Sequence, residues 1–172
     1  MKVKIITIGR FWHFHLARQL HKFKLLDEIY SGYPKFKLRD EYGIPTNKIK
    51  TYPYYQVPSL FFIKYLQNLS PKINHYLSDL ALKTLGNKVA KNIGEANIII
   101  GNSRSGLEAG IKIKKLGGKY ICDRGATHIL EQKEIIKEGY KELNMPFNEM
   151  SDEAIDREIN EYDEANIISV PS

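Results

Sequence analysis

Short apolar runs alternate along this chain with segments whose apolar residues recur every three or four positions. Val3–Ile8 is a compact apolar run closed by Gly9, which predicts a buried strand. In His13–Phe23 that follows, Phe14, Leu16, Ala17, Leu20 and Phe23 fall on one face of a helix. Asp27–Ser31 and Lys48–Tyr52 predict two further short strands, with loops over 32–47 and 52–58 rich in Pro, Gly and Tyr. Helices are expected over Pro58–Gln67 and Pro71–Ile93, the second with Ile73, Leu77, Leu80, Ala81 and Leu85 on one side.

The second half carries the same alternation. Ala96–Ile100 is β-branched and stops at Gly101. Asn102 or Ser103 is placed to cap a helix that runs to about Leu116 and ends at Gly117-Gly118. Lys119–Cys122 predicts the next strand, Ile129–Leu143 an acidic helix, and Met145-Pro146-Phe147 a break. Ser151 opens a last helix with the charged first turn Asp152-Glu153, and Asn166–Val170 predicts a final buried strand. Strands alternating with helices specify an α/β fold: a Rossmann-like, doubly wound parallel sheet with helices on both faces, formed by residues 1–172 as one domain. The chain closes on Val170-Pro171-Ser172 directly after that strand, which leads us to expect a second domain beyond it.

Charge changes this picture more than composition does. Residues 1–100 hold 16 Lys+Arg against 6 Asp+Glu, whereas residues 101–172 hold 10 against 14. The basic half suits phosphates or anionic lipid head groups, or is simply a lysine-rich soluble surface; no nucleic-acid motif accompanies it, so no nucleic-acid partner is expected. No apolar stretch approaches the ~20 residues needed to span a bilayer, and nothing resembles a leader sequence. One cysteine, Cys122, excludes an internal disulfide and fits a reducing compartment. A cytoplasmic protein is expected, soluble or peripheral at the inner face of the membrane. The aromatic run from Tyr52 to Tyr65 is ordinarily explained as a helix packed on its sheet; the alternative is that it lines an acceptor groove or touches a membrane.

In an open parallel sheet, ligands bind at the carboxyl ends of the strands. Three such ends carry polar or Gly-containing segments: Gly9-Arg10, Gly101-Asn102-Ser103-Arg104, and Asp123 through His128. Gly9 stands alone before Arg10-Phe11-Trp12, so the Gly-x-Gly-x-x-Gly dinucleotide fingerprint is missing and an NAD-dependent oxidoreductase is disfavoured. Gly9 either turns the chain or admits a phosphate. His13 and His15 lack partners at metal-ligand spacing, so no metal is expected; each is a partly buried structural histidine or a proton carrier near the strand ends. No nucleophile elbow or Walker loop is present, which disfavours a hydrolase or NTPase.

The stretch Cys122-Asp123-Arg124-Gly125-Ala126-Thr127-His128, followed by Asp156 to Ser172 with its Glu-Tyr-x-x-Ala-Asn and Val-Pro-Ser words, resembles the family-4 retaining glycosyltransferases of GT-B fold. Gly9-Arg10-Phe11 and Leu16–Leu20 are similar to that family's first loop and helix; Asn166 stands where the family has Asp. The resemblance implies the N-terminal, acceptor-side half of a two-domain enzyme, with the C-terminal donor-binding domain absent from this chain and the chain alone incomplete and inactive. It implies that His128 faces the reacting sugar as the catalytic group, and that Gly9 and Arg10 border the donor diphosphate. His13, Asn102, Arg104 and Arg124, with Arg10 at the edge, would form the acceptor pocket. The nucleotide-sugar is a co-substrate rather than a cofactor, and a glycan or lipid-linked acceptor, as in surface polysaccharide assembly, is the expected partner. The alternative is a stand-alone, non-catalytic subunit that binds an acceptor or membrane and recruits a separate donor-binding chain.

Overall fold

The computed structural model describes residues 1–66, 71–147 and 150–171. Six parallel strands form one sheet: β1 (Val3–Thr7), β2 (Leu26–Ser31), β3 (Ile49–Thr51), β4 (Ile98–Asn102), β5 (Lys119–Asp123) and β6 (Ile167–Ser169), in the order β3-β2-β1-β4-β5-β6. Among the described residues, six α-helices lie between them: α1 (His13–Lys22), α2 (Gln56–Leu66), α3 (Pro71–Ala90), α4 (Leu107–Lys115), α5 (Ile129–Glu142) and α6 (Asp152–Glu164). This is the Rossmann-like, doubly wound architecture that the alternation specifies. Strand order reverses between β1 and β4, so the crevice lies where their carboxyl ends diverge.

Period-two alternation along β1 divides the core. Ile5 packs on one face with Phe14, Ala17, Leu26 and Ile29; Ile6 packs on the other with Leu85, Val89, Ile99, Ile113 and Tyr120. Both faces are covered, which is why β1 is buried along its whole length. Even Lys4 is buried within it, its ammonium held by Asp27 at 3.0 Å and by Glu28.

Several boundaries differ from the sequence expectation. Phe23 lies beyond the end of α1 and is 72% exposed, so it leaves the apolar face that Phe14 and Ala17 occupy. Ile73 is likewise exposed, since only the later turns of α3 reach the sheet. Helix α2 begins at Gln56, ahead of Pro58; Gln67 lies outside the described residues. Strand β4 continues through Gly101 to Asn102, and α4 starts only at Leu107, so neither Asn102 nor Ser103 caps it. The cause is Tyr120. Its buried ring lies against Gly101, Gly106 and Gly110, where an added Cβ would come within 2.7, 2.0 and 2.7 Å of its atoms. The glycines let β4 and α4 close over the ring, and the turn between them is set by that packing rather than by a cap. Ser151 does cap α6, accepting from Ala154 N–H at 3.2 Å. Strand β6 is not buried: Ile167 and Ile168 are 54% and 44% exposed at the open edge of the sheet. Ser172, at the end of the Val-Pro-Ser word, lies outside the described residues.

Candidate functional site

The carboxyl ends of β1, β4 and β5 meet along one edge. At the end of β1 the Thr7 hydroxyl donates to the Gly9 carbonyl at 3.2 Å and tightens the turn. Gly9 is buried against two rings, and a Cβ there would stand 3.2 Å from Phe11 and 3.4 Å from Tyr33. Arg10 is exposed and pairs through Nε with Glu41, whose other oxygen accepts from Arg18 at 2.8 Å. Glu41 thus holds two guanidinium groups at the rim.

His13 opens α1 and is fully buried. Its Nε2 lies 3.1 Å from Asp123 Oδ2 at the end of β5, and its Nδ1 lies 3.4 Å from Thr7 Oγ1. The Nε2–Oδ2 approach is close but not aligned as a hydrogen bond, so both atoms lack a hydrogen-bond partner. Asp123 is fixed from the other side by the Ser169 hydroxyl at 2.9 Å, and Trp12 stacks on the imidazole at 4.4 Å between centroids. A histidine backed by a carboxylate at a sheet's carboxyl edge is the arrangement that can carry a proton to or from a substrate.

Beside it, Arg124 is buried and saturated. It donates to the Thr127 carbonyl at 3.0 Å, reaches Ser103 Oγ at 3.4 Å, bonds Gln132, and pairs with Glu158 Oε1 at 3.1 Å. Glu158 is itself fully buried and also accepts from the Tyr162 hydroxyl at 2.7 Å. This network shapes the loop that presents His128. His128 is exposed, its ring 5.0 Å from Tyr162, and its Nδ1 accepts from Leu130 N–H at 3.3 Å as the cap of α5. An accepting Nδ1 places the neutral ring's proton on Nε2, leaving an outward-facing donor.

The β4 end is held differently. Arg104 has φ of 71°, in the left-handed region, and its guanidinium pairs with Asp79 on α3. Its carbonyl accepts from Arg157 Nε at 3.2 Å, while Arg157 grips Glu108 with two bonds of 2.7 Å. Asn102 is half-buried and its carbonyl receives Ser105 N–H at 3.0 Å. The structure therefore joins His13, Arg124 and His128 through the β5 end, and Gly9 and Arg10 through the β1 end. It ties the Arg104 side chain to α3 instead. Behind this turn, fully buried Glu161 accepts from Gly106 N–H at 3.0 Å and from the Tyr120 hydroxyl. Burial pushes its carboxyl up to about 7, against the lowering effect of those bonds and of Arg157.

Asp123, Glu158 and Glu161 lie within the sequence segments described above, but no role attaches to them there. For the two glutamates a signal existed: with Ala154 and Ile155 they lie at helical spacing on the stripe of α6 that is buried. Among the described residues, no group of three His, Cys, Asp or Glu side chains could hold a metal ion, and no helix is long and apolar enough to cross a membrane.

No family model and no curated protein matches this chain. Solved structures do. UGT2 of Phytolacca americana, solved with UDP-2-fluoro-glucose and pterostilbene, is similar over 100% of this chain and 47% of its own, at 12% identity and a TM-score of 0.53. A UDP-glucosyltransferase from Polygonum tinctorium capable of glucosylating indoxyl, in complex with 3,4-dichloroaniline, aligns over 99% of this chain and 46% of its own, at 11% identity and a TM-score of 0.44. The chain spans about half the length of these structures. The likeness to UGT2 is one of fold: the whole sheet and its helices follow part of a larger protein.

Proposed function

We propose that this chain is the acceptor-side half of a glycosyltransferase that moves a sugar from a nucleotide-sugar to a glycan or lipid-linked acceptor. The observation that carries the reading is the whole-chain fold likeness to UGT2, a protein solved with a UDP-sugar analogue. The edge described above supplies suitable chemistry. In glycosyl transfer the bond from the anomeric carbon to the diphosphate breaks, a bond to the acceptor oxygen forms, and the acceptor proton must leave. With retention, as the sequence resemblance implies, that proton passes to the departing phosphate on the same face, and His128 donates through Nε2 to the reacting sugar. Gly9 and Arg10 would border the diphosphate, with His13, Asn102 and Arg124 beside the acceptor. Arg104 would act there only after releasing Asp79. Exposed Tyr54, Tyr55, Phe61 and Tyr65 supply an aromatic surface for a sugar or for an anionic membrane that carries the acceptor.

The His13–Asp123 pair favours a second mechanism for the same reaction. An imidazole backed by a carboxylate is suited to take the acceptor proton, which permits direct displacement with inversion. Both ring nitrogens of His13 face protein atoms here, so this reading requires the ring to reorient.

The test is transfer of labelled sugar from a panel of nucleotide-sugars, by the 172-residue chain and by the longest product of its gene, with the product anomer read by proton NMR. His128→Asn keeps a side-chain acceptor for the cap of α5. A fall of roughly a hundredfold in turnover with acceptor affinity unchanged supports His128 as donor; unchanged turnover removes it. A retained anomer excludes His13 as base, an inverted one excludes the retaining route, and acceptor binding without transfer favours the recruiting subunit. Neither binding nor transfer sinks the proposal.

A further inference from the structure

A cleft of about 790 Å³ lies between the outer strand β3 and the last turn of α3, apart from the β1, β4 and β5 ends. Four lysines from separate segments line it: Lys35 from the turn after β2, Lys50 on β3, Lys88 on α3, and Lys91 just beyond α3. The acidic residue among the lining side chains is Glu28, and its carboxylate is already held by Lys4, by the Tyr30 hydroxyl at 3.0 Å and by Lys50 at 3.3 Å. Among the described residues, Lys35, Lys88 and Lys91 make no ion pair.

Lysines at the end of a helix have a local explanation, because they complement its negative pole. That accounts for Lys88 and Lys91, and Glu28 pairs with Lys50, but neither explains Lys35, which converges on the same space from another element. Thr51 and Asn47 add neutral hydrogen-bonding groups, and Tyr52 adds a ring with Lys88 Nζ 5.9 Å above it. The cleft also falls in the size range of small-molecule sites.

We propose that this cleft is an anion site for a phosphate-bearing ligand, distinct from the sugar-transfer edge. None of Gly9, His13, Arg124 or His128 lines it. A cluster of ammonium groups, three of them without an ion pair among the described residues, repels itself until a multiply charged anion arrives, and phosphate oxygens match point-like lysine charges well. The phosphate is carried either by a free small molecule or by a lipid head group.

Sodium pyrophosphate titrated into the ¹⁵N-labelled chain at low ionic strength reads the first source. Co-sedimentation with phosphatidylcholine vesicles containing phosphatidylglycerol reads the second. The expected result is movement of the Thr51, Tyr52, Asn92 and Gly94 amides, or vesicle binding, with affinity reduced at least tenfold in K50Q/K88Q/K91Q. Pyrophosphate binding assigns the free-anion source; vesicle binding alone assigns the head group. Should the triple variant lose amide dispersion, K35Q/K91Q gives the same reading from two exposed positions. No binding of either probe, undiminished binding by the variants, or shifts confined to Gly9, Arg124 and His128 overturns the proposal.

Discussion

Glu161→Gln should make the fold's stability nearly independent of pH where the wild type loses it. Glu161 has no solvent exposure, and its Oε1 accepts from Gly106 N–H and Tyr120 O–H while Oε2 lacks a hydrogen-bond partner. Burial raises the carboxyl from its ordinary 4.5 to about 7, with Tyr120, Gly106 and Arg157 opposing the rise. Between those values the unfolded chain has released the proton and the folded chain still holds it. Folded protein therefore binds more protons, and stability falls as pH rises through that window. The rise corresponds to about 3 kcal/mol, fully present below pH 4.5 and lost above pH 7. Glutamine keeps an oxygen for Gly106 and Tyr120 and carries no charge, so it stays in the low-pH condition throughout.

Urea denaturation of both proteins at pH 5, 6, 7 and 8, followed by circular dichroism, isolates this contribution. All other titrating groups are shared and cancel in the difference. The variant's advantage over the wild type should widen by about 2–3 kcal/mol between pH 5 and pH 8. Parallel pH profiles would refute the reasoning and place the Glu161 titration at its ordinary value.

Arg124→Met should cost about 3–5 kcal/mol, because it strips the fully buried Glu158 of its counter-charge. Arg124→Met/Glu158→Gln should recover most of that in the same denaturation assay, and a single-variant loss under about 1 kcal/mol would show the pair to be dispensable. Gly110→Ala should destabilise by about 1–3 kcal/mol despite alanine's better helix propensity, since its Cβ would stand 2.7 Å from the Tyr120 ring. Combining it with Tyr120→Leu should give less than the sum of the two single losses; strict additivity would mean that ring and glycine do not meet.

The architecture was legible because each element repeats one simple signal. Ile5 and Ile6 sit on opposite faces of a strand whatever surrounds them, and Phe14 and Ala17 share a face in any helix. Boundaries failed where a long-range contact overrode local chemistry. Asn102 and Ser103 read as helix caps, yet the ring of Tyr120 lets β4 run on and delays α4 until Gly106 has passed beneath it. Strand β6 read as buried because Ile167 and Ile168 are apolar, but an edge strand keeps its exposure unless something covers it.

The candidate site shows the same division. Cations and glycines at strand ends are visible in a sequence because the fold rule says where strand ends converge. Their buried carboxylate partners are harder to see: Glu158 and Glu161 share a helical stripe with Ala154 and Ile155, but a glutamate on a helix ordinarily faces water. Glu158 is buried only because Arg124, contributed by a different strand end, arrives at 3.1 Å. The same holds for His13: it acquires Asp123 through the order β1-β4-β5, which no local pattern encodes. A lone histidine at a helix start leaves the protonation chemistry open. For the proposed sugar transfer, a histidine between Thr7 and Asp123 leaves two routes to weigh, which the anomeric configuration of the product separates. If His13 is the base, Asp123→Asn should depress turnover and leave both acceptor affinity and stability nearly unchanged. If retention holds, the same substitution should act only through the packing of Thr7, His13 and Ser169, lowering stability and turnover together.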